Sequence, residues 1–162
     1  SDYKEVAGEY RSDVLRGEAV NPNYNQTITV YNCFRVEDNP NGKKDVWQRT
    51  VLHNCFYKNV IGRSDVDKVS KMNNVYTVRI PVSERYKSYC KWIRLPEEER
   101  KEFFTCSQKD IVVRGECTDE ITGSPPDTAS QVLSRNKPDA FVVTAFADNT
   151  SHRLAKHYRL GG

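Results

Sequence analysis

The 162-residue sequence has no hydrophobic run that approaches the roughly 18 apolar residues of a membrane-spanning helix. The chain begins with the polar, acidic stretch SDYKEVAGEYRSD, where a signal peptide would have a basic end and an apolar segment. Hydrophobic residues make up only 37% of the chain, while charged residues reach 29%. We therefore expect a soluble protein, made in a cytosol, with a small core and long polar loops.

The sequence also lacks the common catalytic and nucleotide-binding motifs. It contains no G-x-x-x-x-G-K-[ST], G-x-G-x-x-G, H-E-x-x-H or G-x-S-x-G. Its carboxylates fall mainly in turns and in the acidic run at 97–99, which is most simply a solvated helix face. We therefore predict that the protein is not an enzyme and uses no cofactor.

Cysteine and histidine are few, and their spacing does not suit a metal. The five cysteines form no C-x-x-C pair, so we expect reduced and mostly buried thiols. His53 and Cys55 lie two residues apart, which in a strand places them on one face. The surrounding sequence indicates neither a base within hydrogen-bond reach of the thiol nor a cation that would lower its pKa. His152 and His157 match neither one strand face nor an i,i+4 helical pair. We predict no metal site and interpret His53 and Cys55 as structural.

Short runs of alternating apolar and polar residues, separated by turn signals, begin at Thr27 and predict an all-β domain. The second run is one long bent strand or two short ones, with a bulge near His53 and Asn54 to supply the bend. The fifth run, AFVVTAFA, is apolar on both faces and should be the most buried strand. The six predicted strands span residues 27–34, 45–61, 74–81, 109–116, 140–147 and 155–160.

Two helix signals interrupt the strands. The sequence LPEEER at 95–100 begins with proline and three glutamates, which suits the start of a brief helix. The stretch DTASQVLSRNKP at 127–138 has the Thr128 and Gln131 spacing of a capping box. Its apolar face is formed by Ala129, Val132 and Leu133, and Asn136 and Pro138 end it.

These patterns predict a mainly β fold: a small antiparallel β-barrel or sandwich of about six strands, with one short helix and long loops. The barrel domain is expected at residues 27–162, preceded by an N-terminal arm or tail at 1–26. In that segment Tyr3, Val6, Tyr10 and Val14 recur at helical spacing, so it is either an amphipathic arm or a mobile tail.

Two long excursions leave this pattern. Residues 62–74 are expected to form a polar loop, and residues 82–103 hold several large aromatic side chains. Long excursions inside a compact domain are usually functional or disordered.

Four segments, taken in order, resemble small structural proteins of tailed bacteriophages of Firmicutes. They are WQRTV at 47–51, YTVRIP at 76–81, KDIVVRGE at 109–116 and HYRLG at 157–161. The chain is similar to head–tail connector proteins, and in particular to head-closure (stopper) or minor capsid proteins. The resemblance extends from Thr27 to Gly162, while relatives tend to begin almost at the first strand.

The resemblance implies a virion protein of the neck, assembled in the host bacterial cytoplasm. Its subunits would form a ring below the portal and adaptor, close the DNA channel with transient, non-specific DNA contact, and offer a docking surface to the tail. No membrane or small-molecule partner is expected. The channel-closing loop would consist of Gly62, Arg63, Ser64, Asp65, Asp67, Lys68, Lys71 and Asn73. Subunit or partner contacts are expected from Tyr3, Val6, Tyr10, Val14, Tyr86, Tyr89 and Trp92.

A second interpretation is a single-stranded nucleic-acid-binding barrel of the OB type, which combines exposed aromatics with a basic groove. The net charge of +3 is mild and shows no basic stripe. The aromatic candidates are Tyr24, Tyr31, Tyr57, Tyr76, Tyr86, Tyr89 and Trp92, and the basic ones are Arg35, Lys58, Arg79, Arg85, Lys87 and Lys91.

Overall fold

A computed structural model of the protein describes residues 23–35, 45–66, 69–151 and 156–162, with the backbone alone for 62–66 and 69–73. The predicted arm residues Tyr3, Val6, Tyr10 and Val14 lie outside this description.

The described residues form a mainly β structure with seven strands and three short helices. The strands are β1 (Gln26–Arg35), β2 (Asp45–Val66), β3 (Val69–Pro81), β4 (Ile111–Arg114), β5 (Ala140–Val142), β6 (Ala145–Asp148) and β7 (His157–Gly161). The helices are α1 (Tyr89–Trp92), α2 (Glu97–Arg100) and α3 (Ala129–Asn136). The prediction of a mainly β fold is confirmed.

All seven strands pair antiparallel in one sheet with the order β5-β4-β1-β2-β3-β7-β6. The two edge strands, β5 and β6, are joined by only Val143 and Thr144, so the sheet curls until its edges approach each other. We call β5, β4, β1 and residues 45–55 of β2 the first half. Residues 56–66 of β2, with β3, β7 and β6, are the second half.

The long strand β2 bends at a bulge, as the sequence predicts. Gln26 pairs with Cys55 and Ile28 pairs with Leu52, so two steps along β1 correspond to three along β2. Asn54 takes a positive φ of 58°, a conformation that asparagine tolerates better than most residues. The bulge divides β2 into one part that pairs with β1 and another that pairs with β3.

The bulge also shows that the predicted common face of His53 and Cys55 is wrong. An extra residue interrupts the two-residue alternation of side chains, so Leu52 and Cys55 both enter the core while His53 is exposed. The His53 Nδ1 lies 3.1 Å from the Thr27 hydroxyl oxygen, and the Cys55 thiol donates to the His53 carbonyl oxygen at 3.6 Å.

The main core fills the inside of the curl. Tyr76, Val78 and Ile80 of β3 point inward together, as their spacing predicts. Tyr158 and Leu160 of β7 join them. The remaining members are Ile28, Val30, Leu52, Cys55, Phe104, Cys106, Val112, Phe141 and Val143.

A second core lies on the outer face of the first half, beneath helix α3. Val132 is fully buried there, and Ala129 and Leu133 pack at its margin, which confirms the predicted apolar face. The capping box is also confirmed, since the Thr128 hydroxyl accepts from the Gln131 amide and the Gln131 side chain accepts from the Thr128 amide. The buried members are Tyr31, Ile111, Val113, Cys117, Ile121, Val132 and Ala140.

The segment AFVVTAFA is two strands rather than the single, most buried strand that was predicted. The chain leaves β5 after Val142, crosses from one sheet edge to the other, and enters β6 at Ala145. The Thr144 amide donates to the Gly161 carbonyl at 2.8 Å as it does so. Strand β6 is largely exposed despite its apolar composition, because it is an edge strand with one bare face.

Candidate interaction surface

The predicted polar loop at 62–74 is wrong, because these residues continue a β-hairpin. Pairing between β2 and β3 runs without interruption from Phe56 with Arg79 to Val66 with Val69. Polar residues are compatible with such a ribbon, since a strand with solvent on both faces needs no apolar alternation. Of the predicted loop residues, Gly62, Arg63, Ser64 and Asp65 belong to β2, Lys71 and Asn73 to β3, and Asp67 and Lys68 lie outside the described residues.

The hairpin extends beyond the curled sheet. Strand β1 pairs with β2 only as far as Cys55, and β7 pairs with β3 only from Thr77 onward. Backbone hydrogen bonds between Tyr76 and Gly162 form the last pairing beside β3. Within the described residues, positions 59–66 and 69–75 therefore have no other strand beside them. At about 3.3 Å per residue, this ribbon is about 25 Å long.

The base of this ribbon carries exposed apolar side chains. Val60 is 44% exposed and pairs directly with Val75, which is 51% exposed. Ile61, on the opposite face, is 64% exposed and is the most exposed large apolar residue in the described part of the chain. Apolar groups placed together on a projecting element are typical of a surface that another protein covers.

The outer face of the second half is bare, in contrast to that of the first half. In the first half, helix α3 and the segment around Ile121 cover the sheet. In the second half, Ala145 and Ala147 of β6 and Arg159 of β7 are exposed to solvent.

The excursion at 82–103 is anchored to the fold by Trp92. Trp92 is fully buried, packs edge to face on Phe34 with ring centroids 5.1 Å apart, and donates its indole N–H to the Phe103 carbonyl at 3.1 Å. The prediction that Trp92 contacts a partner is therefore contradicted, because an indole with its own internal pocket presents nothing outward. The short helix α2 is confirmed, although it is only four residues long.

The two tyrosines of this excursion differ. Tyr86 is partly buried and stacks on Tyr158, with ring centroids 3.9 Å apart. Tyr89 is 38% exposed and remains available for a contact. Tyr31 and Tyr76 are buried in the two cores, so neither offers a free ring face to a base.

A buried carboxylate joins β1 to the turn before β4. Asp110 is 1% exposed, and its two oxygens accept from the Cys33 amide, the Ser107 amide and hydroxyl, and the Asn32 side chain at 2.8–3.2 Å. Asn32 also donates to the Thr105 carbonyl at 2.6 Å. Burial raises the pKa of the Asp110 carboxyl to about 6, because desolvation outweighs the hydrogen bonds, which lower it. All these hydrogen bonds lie within the fold, so the role of Asp110 is structural: it holds β1 against the turn before β4.

Three of the five cysteines, Cys55, Cys106 and Cys117, are buried, whereas Cys33 is half-buried and Cys90 is exposed. Burial raises the pKa of Cys55 to about 12 and that of Cys33 to about 11, which opposes formation of the nucleophilic thiolate. In the part of the chain that the structure describes, no three His, Cys, Asp or Glu side chains come together as a potential metal site. No helix there is long and apolar enough to cross a membrane.

Sequence patterns indicated the strand that carries the candidate surface but not the surface itself. The apolar pattern stops after Val60 and Ile61, and the polar residues and turn signals that follow obscured the continuing strand. Asp110 was missed because a carboxylate next to a strand is usually a turn residue, and its partner Asn32 is 78 positions away.

Comparison with known proteins gives a family without an assigned role. Residues 23–162 match the family of unknown function DUF6751, and the chain belongs to this family. No curated protein matches the chain. No solved structure matches it either.

Proposed function

We propose that the protein is a structural subunit of a tailed-bacteriophage virion. In this proposal it is a head–tail connector protein of the head-closure type, and it assembles as a ring below the portal and adaptor. The observation that carries the proposal is the projecting β2–β3 hairpin with its exposed apolar base at Val60, Ile61 and Val75. The order of the segments that resemble connector proteins supports it, since they lie on β2, β3, β4 and β7 of the barrel.

A hairpin of this kind suits a ring. Subunits of a ring contact each other through two different faces, so each needs an element that reaches its neighbour. The ribbon supplies apolar anchors at its base and, beyond the barrel, strand edges without a described neighbour. Such edges can receive a strand from another chain, and the apolar anchors make the contact specific.

The same element can close the channel. One hairpin per subunit, directed toward the ring axis, would place Gly62, Arg63, Ser64, Asp65, Lys71 and Asn73 around the opening. This sequence mixes both signs of charge, and phosphate affinity rises with each cation presented, so a DNA end would be held without a strong grip.

Assembly is tested by charging the base of the ribbon. The double variant Val60→Asp/Val75→Asp should remain folded, since both side chains are already exposed, but should lose the ring because two carboxylates would be buried in the contact. Val82→Asp is the matched control, because Val82 is 46% exposed and lies outside the hairpin. The masses are measured by analytical ultracentrifugation. A double variant that assembles like the unmodified chain would contradict the role of the hairpin.

Channel closure is tested by shortening the ribbon. Residues 62–73 are replaced by an Asn-Gly turn, which suits a two-residue hairpin connection. The domain should fold with unchanged thermal stability, because the removed pairs lie outside the two cores. Particles carrying the shortened chain should assemble but lose their packaged DNA. Normal DNA retention in such particles would exclude the hairpin as the closing element.

A further inference from the structure

We propose that the bare outer face of the second half binds the phosphate backbone of double-stranded DNA. Binding at this face does not require a ring, so it is independent of the connector proposal and can be tested on the isolated chain.

The strand register places cations and small residues side by side on this face. Directly paired residues of antiparallel strands point to the same side of the sheet. One row across the sheet is Phe56, Arg79, Arg159 and Ala147, and the next is Lys58, Thr77, Gly161 and Ala145. Neighbouring positions in a row are about 5 Å apart.

The three cations of these rows lack acidic partners. No ion pair joins Lys58, Arg79 or Arg159 to an acidic side chain among the described residues, and no Asp or Glu shares their face of the paired strands up to Val60 and Val75. Elsewhere, Arg35 and Arg135 lie 2.7–2.8 Å from carboxylates. The face therefore carries a local excess of positive charge, which the mild net charge of the whole chain does not reveal.

Arg79 is held in place by an aromatic ring. Its guanidinium lies over the Phe56 ring at 5.1 Å, and its Nε has no hydrogen-bond partner within the described residues although the atom is buried. A guanidinium held by an aromatic ring is preorganised, so it loses little conformational freedom when it binds a phosphate.

The shape of the face suits a backbone rather than bases. Thr77, Ala145, Ala147 and Gly161 place only small side chains between the cations, which lets a phosphate chain approach closely. Phe56 has the Arg79 guanidinium and the Tyr24 ring as neighbours, the latter with centroids 6.1 Å apart, so it is not a free platform for an unstacked base. Single-strand binders depend on such platforms, and this difference favours the duplex.

The test is fluorescence anisotropy with a labelled DNA duplex of random sequence across a range of salt concentrations. Three phosphate contacts predict a slope of log affinity against log salt near about −2.7, from about −0.9 per contact. The triple variant Lys58→Gln/Arg79→Gln/Arg159→Gln should lose at least tenfold in affinity at low salt and most of the slope. The matched control, Lys91→Gln/Arg94→Gln/Lys101→Gln, removes the same charge from the 82–103 excursion and should stay within twofold of the unmodified chain.

Further variants separate charge from folding. Arg79 packs on Phe56, so the double variant Lys58→Gln/Arg159→Gln tests the face without disturbing that contact. Arg79→Lys keeps the charge and should retain binding within about threefold. Equal losses in the face and control variants, or no duplex binding by the unmodified chain, would overturn the proposal. So would tighter binding of a single strand or of anionic lipid vesicles than of the duplex.

Discussion

The two halves of the curled sheet differ in what lies on their outer faces. In the first half, Tyr31, Val113 and Ala140 are buried beneath helix α3, so the strands are covered on both sides. In the second half, only the inner face is buried, and the outer face exposes Lys58, Arg159 and Ala147. Burial of apolar surface is the main source of stability, whereas a bare ordered face is available for binding. Both halves contribute to the main core, but only the first half carries a second core on its outer face. The outer face of the second half and the hairpin are the surfaces that we propose for binding.

Charges follow the same division. Arg135, beside the covered half, lies 2.8 Å from Asp127 and 3.5 Å from Asp119. Arg79 and Arg159, on the bare face, have no such partner within the described part of the chain. A cation that is already paired contributes little to binding an external anion, so Arg79 and Arg159 are better placed than Arg135 to bind one.

The largest expected effect comes from placing the same substitution on the two outer faces. Ala140→Asp buries a carboxylate beneath helix α3 and should reduce the free energy of unfolding by about 4 kcal/mol or more. Ala147→Asp, on the bare face, should change it by less than about 0.5 kcal/mol. Urea unfolding followed by circular dichroism measures both. Similar losses at the two positions would mean that the second half is covered as well.

The next effect is a pH dependence that arises from Asp110. Its pKa of about 6 in the folded protein lies above the ordinary value of 3.8, so the folded state binds this proton more tightly than the unfolded chain does. The contribution to stability is therefore largest below about pH 4 and is lost as the pH rises to about 6, with a size of about 3 kcal/mol.

The measurement compares the unmodified chain with Asp110→Asn at several pH values between 3.5 and 7, chosen to span about two units around the folded pKa. The variant should be less stable throughout, because one oxygen acceptor is replaced by an amide that faces donor groups. The difference between the two proteins should shrink as the pH rises from about 4 to about 6. A difference that grows over this interval would show that the folded pKa of Asp110 is depressed.

The smallest expected effect concerns helix α3, which covers the outer face of the first half. Thr128→Ala removes the capping box of helix α3 and should reduce the free energy of unfolding by about 1 kcal/mol. Ser130→Ala, two residues later, is the control and should cost less than about 0.5 kcal/mol. Neither change should alter DNA binding, because α3 lies on the other half. Loss of DNA affinity in Thr128→Ala would indicate that the two halves are coupled.

Local signals in the sequence were sufficient for several elements. The alternation of Tyr76, Val78 and Ile80, the Thr128 and Gln131 spacing and the bulge near Asn54 all depend on residues a few positions apart, and each is confirmed. Strand periodicity likewise predicted the mainly β class.

The errors arose where distant parts of the chain decide the outcome. Trp92 looked like an interface anchor, but its pocket is formed by Phe34, which is far away in sequence. The segment AFVVTAFA looked like one buried strand because its composition does not reveal that the chain changes sheet edges after Val142. The hairpin looked like a loop because the sequence at 62–66 and 69–73 is mostly polar and shows no regular apolar alternation.

Amide hydrogen exchange of the free chain and of the chain in its purified assembly tests the division between the two halves most directly. We predict slower exchange on assembly at residues 58–61 and 74–79 and in β7, with exchange in helix α3 unchanged. Protection confined to α3 and the segment around Ile121, with the hairpin and β7 unaffected, would contradict the account.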